Sequence, residues 1–141
     1  MARPGQFCVE LHTNAPWAHA PDVRDRIAEA VARSAARWGG STLDLTGWTI
    51  VFQDGEVDCN VLWRRTGCTD VAERKMTVRS DRADCVDGTV LPHEIGHALL
   101  PLGDPMHWDA GWHDDGAWER LEDAFLADGG CPVEPLSAWE P

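Results

Sequence analysis

A chain of 141 residues is the size of one domain, large enough for a single core and too short for two. Hydrophobic residues make up 43% and charged residues 26%, a composition that argues against a disordered chain. The formal charge of −12, from 24 acidic against 12 basic residues, disfavours nucleic acid and anionic lipid surfaces as partners, because such a field repels phosphate within a Debye length.

In chain order, "FCVEL" alternates apolar and polar residues as a half-buried strand does, and "TNAPWAHAP" follows with loop residues. Asp22 then stands where an N-cap belongs. Val23, Ile27, Val31, Ser34 or Ala35, and Trp38 recur at helical spacing until Gly39 and Gly40 end the pattern. "GWTIVFQDG" reads as a strand closed by a turn, and "VDCNVLW" and "RKMTVRS" repeat the strand alternation. These three runs and the first strand are expected in one sheet. From "GTVLPHEIGHALL" the period becomes helical, with Pro101 and Gly103 as the stop. A last helix is expected in "DDGAWERLEDAFLADGG", capped by Asp114 or Asp115. The layout is α+β in one domain spanning residues 1–141, with a helix packed under a small sheet.

The charge is uneven. From Glu94 onward there are 11 acidic residues and one base, Arg120, against 13 acids and 11 bases before it. No run approaches the roughly 18 apolar residues of a membrane helix, and "MARPGQFCVELH" lacks the apolar region of a signal peptide. The chain as written is expected to be soluble and cytoplasmic. Five cysteines are an unusual load for a reducing compartment, so a secreted or periplasmic protein that has lost a leader fits as well.

The chemistry concentrates in "LPHEIGHALLPLGDPMHW". On a helix, positions i and i+4 share a face one turn apart, so His93 and His97 can aim two imidazoles at one point. Neutral imidazoles bind zinc well, and a catalytic site takes three protein ligands and leaves the fourth place to water. Glu94 is placed to take a proton from that water, whose pKa the metal lowers, and the resulting hydroxide attacks a polarised carbonyl. The bland alternative is a pair of capped or exposed histidines on a helix. Against it, the motif lies in a run otherwise made of Ile, Ala and Leu, which supplies a buried flank.

A third ligand must return from beyond the helix. Asp104, His107, His113 and Glu119 all stand downstream, and the break at Pro101 and Gly103 favours a donor close in sequence.

His93, Glu94 and His97 match the H-E-x-x-H motif of the zincin metallopeptidases in full, and the chain resembles that family. It departs from the metzincin continuation H-E-x-x-H-x-x-G-x-x-H, with Leu100 in place of the glycine and Gly103 in place of the third histidine. In the thermolysin-like branch a glutamate on a second helix, some twenty or more residues on, closes the site; Glu119 and Glu122 fall in that range. A nearer resemblance is to small bacterial zincin-like proteins, in which a cysteine-bearing strand precedes H-E-x-x-H and a G-D-x-x-H segment with a downstream aromatic follows. Here these read "GCTDVAERKMTV" and "GDPMHWDAGW", between Gly67 and Trp112. That resemblance implies His107 as third ligand, with Asp104 supporting the site or its turn. It also implies a peptide laid antiparallel to an edge strand above the active-site helix, and "RKMTVRS" is the expected edge strand.

The acidic residues Asp104, Asp109, Asp114 and Asp115 lack EF-hand spacing and read as a solvated rim that could favour basic substrate residues. Cys59 and Cys68 bracket a hairpin they could bridge, Cys85 and Cys131 flank the two C-terminal helices, and Cys8 is left over. Each such link would add about 2–4 kcal/mol. Trp38, Trp48 and Trp63 fit core positions, whereas Trp108, Trp112 and Trp118 either bury the loop or line a pocket. His12 and His19 read as surface residues.

The expectation is a monomeric zinc metallopeptidase, of zincin-like α+β fold, acting on peptides or proteins. Two other classes use the same residues. One is an inactive zincin-like binding module with structural zinc, whose fourth ligand would be Asp109 or His113; the other is a metal-dependent hydrolase of a non-peptide amide.

Overall fold

The computed structural model describes residues 3–55, 57, 67–80 and 90–99. The first strand, β1, runs Cys8–His12 and leads through a 3-10 turn at Pro16–His19 into helix α1, Val23–Arg37. A second 3-10 turn, Thr42–Leu45, precedes β2, Thr49–Gln53. Strands β3, Gly67–Asp70, and β4, Lys75–Arg79, form a hairpin, and helix α2 spans Val90–Leu99. The order strand, helix, three strands, helix is the expected one. One of the three strands differs: β3 lies at 67–70, while "VDCNVLW" falls outside the described residues except for Val57, which is buried and makes an isolated bridge. The expected last helix and the stop at Pro101 and Gly103 also fall outside them.

The strands make one mixed sheet in the order β1-β2-β4-β3. β1 pairs parallel to β2 and β2 parallel to β4, whereas β3 runs antiparallel to β4. The β1-to-β2 connection carries α1, as a parallel pair requires a crossover. Lys75–Arg79 therefore lies inside the sheet, hydrogen-bonded on both sides, and is not the edge strand the sequence suggested. Among the described residues the edges are β1 and β3. The short turn at residues 71–74 folds β3 back outside β4 and takes the edge position from it, with Arg74 at a positive φ of 53°.

Residues directly opposite across strands share a face. One row reads Val9, Ile50, Met76, Thr69 and the next Leu11, Phe52, Val78, Gly67. Ile50, Phe52, Met76 and Val78 form the buried heart of this face, packed with Ile27, Ala30, Val31 and Ala35 of α1 and with Leu91 and Ile95 of α2. Both helices thus contribute to one core, and the small mixed sheet packed on helices is the expected α+β layout. Trp17 meets Phe52 edge to face at 5.3 Å between ring centroids. At the β3 end the two rows finish in Thr69 and Gly67, small residues that leave room beside α2.

The end of α1 shows how local chemistry sets the approach of α2. Gly39, at a φ of 79°, donates its N–H to Ala36, and Gly40 donates to Ala35, the paired bonds of a Schellman ending. Asp22 sits at the N-cap of α1 by position, but its side chain makes no capping bond. A Cβ on Gly40 would stand 2.4 Å from the Leu99 side chain, so a glycine there lets the far end of α2 come close. Trp48 is buried as expected, Trp38 is half-buried, and His12 and His19 are exposed. No helix among the described residues is long and apolar enough to cross a membrane.

Candidate active site

Helix α2 is apolar nearly all round, and residues 91–96 are all buried. Pro92 is accommodated because it lies in the first turn, where its missing N–H breaks no helical bond. Leu91 and Ile95 enter the core, and the intervening positions carry His93 and Glu94, which are only 3% and 2% exposed. His97, one turn on, is half-buried. The ring centroids of His93 and His97 are 5.1 Å apart with their planes inclined at 53°. The i, i+4 spacing therefore brings both imidazoles together, as the sequence pattern requires.

A second side chain controls the roll of this helix. The indole N–H of Trp38 donates to the Pro92 carbonyl at 2.8 Å, and a Cβ on Gly96 would lie 2.6 Å from the same indole ring. Both contacts fall one residue before a histidine, so Trp38 braces α2 at the turn that carries the pair. The sequence reading assigned Trp38 to the core and missed this contact, which depends on the meeting of two distant segments.

A buried carboxylate needs polar company. Glu94 meets it on β3, where the Thr69 hydroxyl lies 2.7 Å from Oε1 and 3.0 Å from the Glu94 carbonyl oxygen, so its one proton is donated between two acceptors. The other carboxylate oxygen, Oε2, stands 3.8 Å from Nε2 of His93. Gly67 is close as well: a Cβ there would be 2.6 Å from Oε2 and 2.8 Å from Cγ of Glu94. Neither Thr69 nor Gly67 was singled out from the sequence, although both lie in the cysteine-bearing segment quoted above. Their signal is the i, i+2 spacing of a strand, which is mute until the register across β4 shows which face they share.

Cys68, between them, belongs to the opposite face and is disulfide-bonded; Cys8 is a free, exposed thiol. Cys59, Cys85 and Cys131 lie outside the described residues.

Two imidazoles on adjacent turns, 5.1 Å apart, suit zinc in donor type and spacing, and Glu94 is close without being needed as a ligand. Among the described residues no three His, Cys, Asp or Glu side chains form a metal-holding group. The downstream candidates Asp104, His107, His113, Glu119 and Glu122 all lie outside those residues, as do Asp109, Asp114, Asp115 and the tryptophans at 63, 108, 112 and 118.

Comparisons of the chain with family models, with curated proteins and with solved structures return no match.

Proposed function

We propose that the chain is a zinc-dependent metallopeptidase of zincin-like fold, in which His93 and His97 bind the metal, His107 completes the protein ligands, and Glu94 is the general base. The observation that carries this reading is the cluster on α2: two imidazoles 5.1 Å apart with a buried carboxylate oxygen 3.8 Å from the first. A structural zinc site would have no use for that carboxylate. Zinc, when bound, supplies a Lewis acid that makes water acidic and polarises a carbonyl.

The chain's own residues do the rest. Glu94 accepts a proton and can return it to a leaving amine, since a carboxylate beside the reacting centre serves both directions. β3 lies directly beside Glu94 and is an edge among the described residues, which makes it the strand along which an extended peptide would pair. Main-chain bonds of that kind hold many sequences, so cleavage preference would come from the side-chain surroundings.

The test is metal content by elemental analysis together with cleavage of casein and of a peptide library. One zinc per chain, lost in His93→Ala and His97→Ala, and cleavage abolished by Glu94→Gln with zinc retained, is the expected result. A chain without zinc, or a zinc chain whose cleavage survives Glu94→Gln, refutes the reading.

A further inference from the structure

We infer that Thr69 is a positioning residue for Glu94: its hydroxyl fixes one carboxylate oxygen and so turns the other toward His93.

Three observations on β3 carry it. The register places Thr69 opposite Met76 and Gly67 opposite Val78, on the face of the sheet that receives α2. Thr69 is only 3% exposed, and its hydroxyl bonds both the carboxylate and the main-chain carbonyl of Glu94. It therefore ties the side chain to its own backbone position, and the χ angles of Glu94 lose their freedom to rotate. Gly67 supplies the space: Oε2 and Cγ of Glu94 occupy the volume a side chain at 67 would need. Together Gly67 and Thr69 form a cradle, with an opening at Gly67 that admits the carboxylate and a hydroxyl at Thr69 that donates to it.

The physical consequence concerns aim. A glutamate has three rotatable bonds, and a general base held within hydrogen-bond reach of its proton acts far better than one that samples several rotamers. Without the hydroxyl, Oε1 loses the bond that Thr69 gives it, and the carboxylate is held less firmly against turning about its last bond, a turn that would carry Oε2 away from the His93 Nε2 it faces at 3.8 Å. Thr69 has no role in the reaction itself. It acts through Glu94, and the kinetic part of the inference rests on the peptidase reading, whereas the geometric part does not.

The test uses the full chain as wild type, Thr69→Val and Thr69→Ser. Valine keeps the shape and removes the hydroxyl; serine keeps the hydroxyl and removes the methyl. Circular dichroism checks the fold of each, and Thr69→Ala replaces Thr69→Val if valine fails to fold. The first readout is the ring 15N resonances of His93 in the metal-free chain at one fixed pH. They are expected to move in Thr69→Val and to return in Thr69→Ser. The second is peptide cleavage with zinc supplied, where kcat is expected to fall about tenfold in Thr69→Val with KM unchanged and to recover in Thr69→Ser. Unchanged His93 resonances in Thr69→Val overturn the inference, and so does a shift that serine fails to reverse, because the methyl and not the hydroxyl would then be responsible. If the wild type cleaves nothing with zinc bound, the peptidase reading falls, and the resonances still decide whether Thr69 positions Glu94.

Discussion

Trp38, the C-cap residue of α1, donates its indole N–H at 2.8 Å to the carbonyl oxygen of Pro92, the residue before His93. The end of one helix thereby holds the start of the other. A 54-residue separation in sequence becomes a single hydrogen bond that sets how α2 presents its histidines.

Replacing Trp38 with Phe keeps an aromatic ring against Gly96 and removes the donor. The expected cost is about 1 kcal/mol of stability, the net worth of one such bond, read by urea denaturation. Zinc binding, followed by calorimetry, should weaken in the same variant because α2 gains freedom to roll.

Gly96→Ala sets two effects against each other. Alanine is the better helix former by about 1 kcal/mol. A Cβ at 96 would stand 2.6 and 2.7 Å from two indole carbons of Trp38, and overpacking of that kind costs about 1–3 kcal/mol. The packing cost is expected to win, so the variant should melt below wild type. A melting point raised above wild type would mean that the two helices part easily.

Gly67→Ala separates site from scaffold. The added methyl meets the far end of the Glu94 side chain, 2.6 Å from Oε2, and the carboxylate must swing aside. Cleavage should fall by at least tenfold while zinc content stays at the wild-type value, since displacing a group that sits beside the metal ligands changes activity by about 10–100-fold. Equal loss of zinc and activity would point to distortion of α2 as a whole.

The proposed third ligand, His107, is tested by substitution. His107→Ala is expected to lose zinc, with Asp104→Ala and Glu119→Ala retaining it, each measured by elemental analysis after dialysis. Zinc that survives His107→Ala and leaves in Glu119→Ala would assign the site to the thermolysin-like arrangement.

Ile95→Ala probes the core under the motif. Ile95 is fully buried between the sheet and α1, and its truncation is expected to cost about 2–5 kcal/mol. Denaturant unfolding measures it directly.

Much of this was legible in local pattern. The spacing of Val23, Ile27, Val31 and Ala35 and the Gly39-Gly40 ending specify α1, because a helix is built from contacts three and four residues apart and its stop from the φ freedom of glycine. The pairing of His93 with His97 is equally local: one turn of helix dictates it, and the two rings do meet. The strands at 8–12 and 75–79 were likewise visible as alternation, and the one at 49–53 as a β-branched and aromatic run closed by a turn.

What the tertiary structure decided is everything that depends on register and on meetings of distant segments. Alternation marks Lys75–Arg79 as a strand but cannot say whether it is inner or edge, since either position satisfies the same pattern; the hairpin with Gly67–Asp70 settled that. "GCTD" is too short and too polar to announce itself as a strand by its own pattern, and only the zincin resemblance placed a cysteine-bearing strand in that segment. Only its pairing with β4 turns Gly67 and Thr69 toward Glu94, because a shift of one residue would have turned Cys68 and Asp70 inward in their place. The histidine pair belongs to the helix, but the cradle that aims the carboxylate beside it belongs to the sheet.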